Sequence, residues 1–141
     1  MIVFFDTSAL IPVFLEAHEH HSLSLRAFLK AEPAQAFCSS HGLVEFYSTL
    51  TRLPGSHRLS GEQVLLFLGD IRQRLAVESL TAEETWKLLA DAAARGVTGG
   101  MIYDFIQART ALKAHATVLY TWNTKHFSRL GKDVSVIART P

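Results

Sequence analysis

Features that would identify several classes of protein are scarce in this chain of 141 residues. It has one cysteine, Cys38, so no disulfide can form within the chain, which fits a reducing compartment. No apolar run reaches the roughly 18 residues that cross a bilayer, and the first residues lack the basic and long apolar regions of a signal peptide. We therefore expect a cytoplasmic protein with no membrane partner.

The chain also has no strong excess of either charge, since its formal net charge is +1. Bulk charge therefore does not indicate a nucleic-acid binder, and any cationic surface must be local. The hydrophobic fraction of 48% is ordinary for a compact protein of this length. A single domain over residues 1–141 is expected.

What the sequence does contain is an alternation of short apolar segments with longer amphipathic ones. Strands are predicted at residues 2–5, 36–39, 76–80, 117–122 and 134–138, and helices at 18–31, 41–53 and 101–116, with another beginning at residue 8. Two more helices open at Ser60 and Thr81, each followed three residues later by Gln or Glu, and Gly96 closes the second. This alternation predicts an α/β fold, a three-layer α/β/α sandwich with a central, mainly parallel sheet.

Three acidic residues stand in apolar surroundings: Asp6 in FFDTSA, Glu45 in LVEFY and Asp104 in MIYDFI. Asp6 follows the first predicted strand, and the other two are expected in the first turns of helices. Taken singly, each acid could be a half-exposed residue or a helix cap. Two carboxylates about 4 Å apart repel by roughly 4 kcal/mol at an effective dielectric of about 20, and no Lys or Arg stands beside each. A cluster would therefore take up protons or hold a hard cation such as Mg2+ or Mn2+.

Four segments occur in the order FFDTSAL, LVEF, GGMIYDFIQA and LYTWNTKHF. They resemble the signature blocks of PIN-domain nucleases, most closely the VapC-type ribonuclease toxins of toxin–antitoxin pairs. The resemblance implies a PIN-like fold in which Asp6, Glu45 and Asp104 are the ligands of Mg2+, for which Mn2+ can substitute. The fourth block often carries another Asp, where this chain has Asn123, and an uncharged amide favours one firmly held ion. His126 is either a further contact at that position or a surface residue.

The function that the resemblance implies is a Mg2+-dependent endoribonuclease that hydrolyses RNA phosphodiester bonds, the toxin of a toxin–antitoxin pair. Its expected partners are the RNA substrate, a small antitoxin protein that covers the cleft, and a second copy of the chain in a homodimer. The three acids and Asn123 are the expected catalytic residues. Candidate contacts to RNA are Thr7, Ser8, Arg52, Thr121 and Lys125. Their alternative roles are helix capping for the hydroxyls and a solvated helix face for the cations, as for Arg109 and Lys113.

Two other functions stay open on the sequence. An Asp-dependent phosphatase would use Asp6 as its nucleophile, although such sites usually have a second Asp two residues later, where this chain has Ser8. A metal-binding or RNA-binding PIN module with weakened catalysis would be consistent with the uncharged Asn123. The neighbouring Trp122 either packs at the strand end or stacks on a base.

Overall fold

The computed structural model describes residues 1–141 as five strands connected by helices. The strands are β1 (Val3–Phe5), β2 (Ala36–Ser39), β3 (Ala76–Glu78), β4 (Val118–Tyr120) and β5 (Ala138–Arg139). The α-helices are α1 (Thr7–Leu10), α2 (His21–Leu29), α3 (Ser40–Thr51), α4 (Gly61–Arg74), α5 (Ala82–Arg95), α6 (Met101–Lys113), α7 (Thr124–Ser128) and α8 (Lys132–Ser135). Short 3-10 helices occupy Ile11–Phe14 and Gly55–His57. None of these helices combines the length and apolar character needed to cross a bilayer.

The five strands form one parallel sheet in the order β3-β2-β1-β4-β5. In its centre, Phe4 of β1 lies between Phe37 of β2 and Leu119 of β4. After β1, the chain first builds β2 and β3 on one side of β1 and then builds β4 and β5 on its other side. The strand order therefore reverses between β1 and β4. In open parallel sheets, the crevice beyond the carboxyl ends of two such strands is the usual place for a ligand.

Two apolar cores cover the two faces of the sheet, which confirms the predicted three-layer arrangement. Successive side chains of a strand point to opposite faces, so Phe5 packs with Phe46 and Ile71 while Phe4 packs with Phe105 and Phe127. Helices α1 to α4 contribute to the first core and α5 to α8 to the second. Each fully buried aromatic ring contributes about 1.5–3 kcal/mol through the hydrophobic effect, so both faces hold the sheet firmly in place.

The predicted helix boundaries are confirmed where a specific cap defines them. Both predicted capping boxes form, with Ser60 and Thr81 each accepting a hydrogen bond from the backbone N–H three residues later. Gly96 ends α5 with a φ of 72°, a left-handed conformation that residues other than glycine adopt with strain. The helix predicted from residue 18 begins later, at His21, because residues before it form turns.

The prediction of a strand at residues 134–138 is wrong for most of that segment. Val134 lies in the short helix α8, and β5 is limited to Ala138–Arg139. The side chains of Val134 and Ile137 are both buried, three residues apart, whereas Val136 is 69% exposed. Because i and i+3 share a helix face, burial of this pair outweighs the β-branched composition that had suggested a strand.

Candidate active site

Asp6 lies directly after β1, at the crevice between β1 and β4. Its backbone N–H donates to the carbonyl of Tyr120 at 2.9 Å, which ties the end of β1 to β4. Its side chain is buried, and Oδ2 accepts hydrogen bonds from Ser8 Oγ at 2.7 Å and Thr121 Oγ1 at 2.9 Å. No protein group donates to Oδ1. The carboxylate is thus fixed through one oxygen, and the other remains available to a ligand.

Burial raises the pKa of Asp6 from its ordinary value of 3.8 to about 6. The hydrogen bonds from Ser8 and Thr121 act in the opposite direction, because they stabilise the ionised form. The charges of Asp104 and Glu45 raise the pKa further. A cation beside Asp6 would favour its ionised form by offsetting all three unfavourable effects.

Asp104 lies in the first turn of α6, as predicted, and faces the same crevice. Its Oδ2 is 3.3 Å from Nδ1 of His126, which follows β4 on α7. Burial raises the pKa of Asp104, the charge and hydrogen bond of His126 lower it, and the charge of Glu45 raises it. His126 therefore combines the two roles considered for it, since it contacts an acidic residue of the site while its side chain is 56% exposed.

Glu45 lies in the second turn of α3, so its predicted place in the first turn is wrong. The helix begins earlier because Ser39 is its N-cap and accepts a hydrogen bond from Gly42 N at 2.8 Å. Oε1 of Glu45 is 3.1 Å from Nε2 of His41, one turn before it on the same helix. That nitrogen is buried, and its approach to Glu45 lacks the angles of a hydrogen bond, so the carboxylate is its one charged neighbour.

The donor set suits Mg2+, although the acids do not already surround a metal position. Nowhere in the structure do three His, Cys, Asp or Glu side chains lie close enough together to hold one metal ion. The charges of Asp104 and Glu45 still raise the pKa of Asp6, and that of Glu45 raises the pKa of Asp104, because charges interact over several ångströms whereas Mg2+ requires oxygen atoms at about 2.0–2.1 Å. Mg2+ keeps several water ligands and is usually held directly by one or two carboxylates. Asp6, with a free oxygen, and Asp104 and Glu45 beside it meet that requirement.

A buried glutamine, Gln107, which the sequence analysis did not identify, lies beside Glu45 and joins three elements of the site. Gln107 accepts a hydrogen bond from Ser39 Oγ, donates to Thr7 Oγ1 at 3.0 Å, and places the same nitrogen 3.5 Å from Glu45 Oε1. Gly42 packs against this amide so closely that a Cβ there would lie 2.9 Å from Gln107 Nε2. Gln107 thus connects α6 with α3 and with the start of α1.

The spacing of residues along α3 and α6 could have identified the two site residues that the sequence analysis missed, His41 and Gln107. Gln107 follows Asp104 by three residues, so the two share a face of α6. His41 precedes Glu45 by four residues on α3, the spacing of neighbouring side chains on a helix. A search for polar residues three or four positions from each acid would have found both.

The hydroxyl residues predicted to contact RNA lie at or below the floor of the crevice. Thr7 is buried, and its hydroxyl is engaged with Gln107 and the Gly42 carbonyl, so it supports the site rather than lining it. Thr121 is also fully buried and holds Asp6. Ser8 is partly buried and lines an open cavity together with the exposed Asn123, whose side-chain amide makes no hydrogen bond to the protein.

Of the four basic side chains considered in the sequence analysis, two form no ion pair and two are paired with acidic residues. Arg52 ends α3 and Lys125 lies on α7; both are exposed, and neither forms an ion pair. Arg109 is paired with Asp91, and Lys113 donates to Glu84 at 2.7 Å. The free pair is therefore the better candidate for contacts to phosphate, because it need not first break an existing ion pair.

Comparison with known proteins agrees with this architecture. A family model described as PIN domain matches residues 3–133. The chain is 35% identical to Ribonuclease VapC40 of Mycobacterium tuberculosis over 116 residues, which covers 81% of each chain. It is 31% identical to Ribonuclease VapC27 of the same organism over 137 residues, which covers 94% of this chain and 95% of the relative.

Two solved structures share the fold over most of their length. The VapBC2 structure from Rickettsia felis, bound to a DNA fragment from its promoter, superposes with a TM-score of 0.68 at 21% identity and covers 100% of this chain and 99% of that one. Mycobacterium tuberculosis VapC20, a toxin that cleaves the sarcin-ricin loop, gives a TM-score of 0.71 at 18% identity and covers 89% and 93%. The family match and the two ribonuclease relatives together show that this chain belongs to the PIN-domain family, among its VapC members.

Proposed function

We propose that this protein is a Mg2+-dependent endoribonuclease that hydrolyses RNA phosphodiester bonds as the toxin of a toxin–antitoxin pair. The observation that carries the proposal is that the charges of Glu45 and Asp104, acids far from Asp6 in sequence, both act on the buried Asp6 carboxyl beyond the end of β1. The raised pKa values of Asp6 and Asp104 support a cation at this position, and the ribonuclease names of the VapC40 and VapC27 relatives support RNA as the substrate.

The roles of the residues follow from their surroundings. Asp6, Glu45 and Asp104 would hold the ion, and Mn2+ could replace Mg2+ because both prefer oxygen ligands. When bound, such an ion lowers the pKa of a coordinated water and offsets charge on the phosphate oxygens. Ser8 and Thr121 orient Asp6.

Other groups would act on the substrate from the rim of the crevice. The free amide of Asn123 would bind a water or a phosphate oxygen beside Ser8. Arg52 and Lys125 would contact phosphates on either side of the cleavage point, which would make RNA binding weaken as salt increases.

An Asp-dependent phosphatase is not favoured by these contacts. Position 8, where such enzymes place a second acid, holds a serine whose hydroxyl donates to Asp6 Oδ2 and accepts from Trp122 N. The residue therefore fixes the first acid and has no proton-donating carboxyl for a leaving group.

The test is cleavage of a fluorogenic RNA by the wild type and by Asp104→Asn, in magnesium and in EDTA. We expect the substitution, or removal of the metal, to lower the rate at least about 100-fold, because the charge on the phosphate is no longer offset. Asp70→Asn, at an exposed acid on α4, is the matched control and should cleave at the wild-type rate. Wild-type turnover by Asp104→Asn in the same magnesium buffer would overturn the catalytic assignment. RNA binding without turnover by the wild type would instead favour the weakened module.

We also propose an antitoxin as the protein partner, a second copy of the chain in a homodimer, and the cytoplasm as the location. A structural relative, VapBC2 of Rickettsia felis, is a two-component complex, which supports the first of these. Apolar side chains on α3 and α4 supply surface for a protein contact, with Val44, Leu65 and Leu66 each more than 60% exposed. Co-expression with the small protein encoded beside it, followed by affinity capture and sizing, would test both contacts. Failure to recover a complex would remove the antitoxin assignment and leave the nuclease assignment intact.

A further inference from the structure

We propose that the stacked rings of His20 and Trp122 form a wall of a subsite that holds a nucleobase of single-stranded RNA beside the acidic crevice. The inference rests on the proposed function, because it takes RNA as the substrate. It assigns a substrate-positioning role to residues outside the acidic cluster.

The two rings lie nearly parallel, with centroids 3.6 Å apart and an angle of 7° between their planes. Trp122 is fixed at both ends, since Nε1 donates to Ser24 Oγ at 2.9 Å and its backbone N–H donates to Ser8 Oγ at 2.9 Å. His20 covers one face of the indole and remains about one-third exposed, with a side-chain relative exposure of 33%. Two stacked rings that are fixed in place and partly exposed are a suitable surface for a planar base, because little side-chain entropy is lost when the base stacks on them.

The stack is directly connected to the candidate metal site. The hydroxyl of Ser8 that accepts from Trp122 N also donates to Asp6 Oδ2 at 2.7 Å. Both rings face an open cavity of about 440 Å³ that Ser8 and Asn123 also line. A base in this cavity would therefore belong to a nucleotide adjoining the phosphate at the acids.

The remaining lining matches the chemistry of a base. Ile11, Leu15 and Leu53 supply apolar lining that suits the face of a ring, while His18 and Asn123 supply polar groups that suit its edge. The volume lies within the range of about 300–1,000 Å³ that is usual for small-ligand sites. These features favour an aromatic, hydrogen-bonding occupant over an apolar side chain of a protein.

The charges around the cavity suit a nucleotide as well. The free cation Arg52 lies in the sequence between Thr49 and Leu53, both of which line the cavity. Lys125 is two residues beyond Asn123, which also lines the cavity. One acid, Glu19, also lines the cavity, but it is 81% exposed and lies 3.4 Å from His20 Nε2. Phosphates flanking the base would thus find two unpaired cations close in sequence to residues that line the cavity.

The experiment uses Trp122 as its own reporter. The chain has two tryptophans, and the other, Trp86, is 74% exposed on α5, so Trp86→Phe leaves Trp122 as the sole source of indole fluorescence. This variant, carrying Asp6→Asn to prevent cleavage, is titrated with homopolymeric single-stranded oligoribonucleotides of each base. An abasic ribose-phosphate oligomer of equal length keeps the phosphates and removes the bases. A gel after each titration records whether the RNA stayed intact.

We expect the RNA to quench Trp122 and to bind roughly tenfold more tightly than the abasic oligomer, as is typical of one stacked base. His20→Leu should remove about that tenfold advantage, whereas His20→Phe, which keeps a planar ring, should retain it. His115→Asn is the control, since His115 is exposed near the opposite ends of the strands and Asn tolerates its φ of 60°. Thermal unfolding of each variant separates loss of fold from loss of the base contact.

Three results would overturn the proposal. The first is equal affinity of the parent for RNA and for the abasic oligomer, a comparison that does not depend on any His20 variant folding. The second is an unchanged preference for RNA in a folded His20→Leu protein. The third is quenching of Trp122 by the co-purified antitoxin but not by RNA, which would assign the cavity to the protein partner. Cleavage of the oligonucleotide by the Asp6→Asn background would count against the proposed nuclease chemistry and not against the base subsite.

Discussion

Replacing Asp6 by Asn should stabilise the protein at neutral pH while it abolishes cleavage. Asp6 is 4% exposed, and burial raises the pKa of its carboxyl from 3.8 to about 6. An amide of the same shape can accept the hydrogen bonds of Ser8 and Thr121 without placing a charge in this buried position. A buried charge that lowers the free energy of unfolding is expected where function requires it.

The size and sign of the effect follow from the two pKa values. Below pH 3.8 the carboxyl is protonated in both the folded and unfolded states, so it carries no ionisation penalty there. As the pH rises through 3.8 and then through about 6, the unfolded chain releases its proton first and the folded state loses stability. From 3.8 to about 6, at about 1.36 kcal/mol per pKa unit, the loss reaches about 3 kcal/mol at neutral pH. We expect Asp6→Asn to recover most of this free energy.

Urea unfolding in EDTA, at a series of pH values from acid to neutral, measures the difference. With a slope of about 2 kcal/mol per molar urea, a gain of about 3 kcal/mol moves the midpoint up by about 1.5 M. The gain should shrink towards zero near pH 4, and the exposed control Asp70→Asn should show no such gain. Equal stability of Asp6→Asn and wild type at neutral pH, or a gain that does not vary with pH, would refute the reasoning. Magnesium at ten times its dissociation constant should raise wild-type stability by about 1.4 kcal/mol and leave Asp6→Asn unchanged.

Three further changes test other parts of the structure. Gln107→Leu should lower the free energy of unfolding by about 1–3 kcal/mol, because the buried hydroxyl of Ser39 loses its hydrogen-bond acceptor. It should also slow RNA cleavage, because Glu45 loses a polar neighbour. Thermal unfolding and the fluorogenic assay measure these two effects. Gly42→Ala should cost about 1–3 kcal/mol, since its Cβ would lie 2.9 Å from Gln107 Nε2, and an unchanged melting temperature would contradict that packing. Burial raises the pKa of Cys38 to about 12, so iodoacetamide should label Cys38 in urea and not in the native chain. Rapid labelling of the folded protein would show that the sulfur is accessible.

Local signals were sufficient where a short stretch of chain determines its own structure. Ser60 and Thr81 each need a partner three residues away, so their capping boxes can be read directly from the sequence. Gly96 likewise ends α5 through its own backbone freedom. Alternation of apolar strands with amphipathic helices is also local, and it was enough to predict a parallel sheet between two layers of helices.

Tertiary contacts determined what the sequence analysis missed. Val134 and Ile137 form part of a helical turn because both reach the core beneath α8, which their composition does not reveal. Gln107 looked like an ordinary polar residue in an amphipathic helix, and its contacts with Thr7 and Ser39 depend on residues 100 and 68 positions away. The acids could be chosen as candidates from their apolar surroundings. The residues that contact the acids could not be chosen in this way, because they come from elements that meet only in the folded protein.

The central position of β1 has a consequence for synthesis of the protein. Although β1 precedes the other four strands in the chain, it pairs on one side with β4, and Thr121 comes from just beyond β4. Contacts between residues this distant in sequence form late and slow the folding of a domain. A nascent chain that does not yet include Thr121 therefore lacks one of the two hydroxyls that orient Asp6.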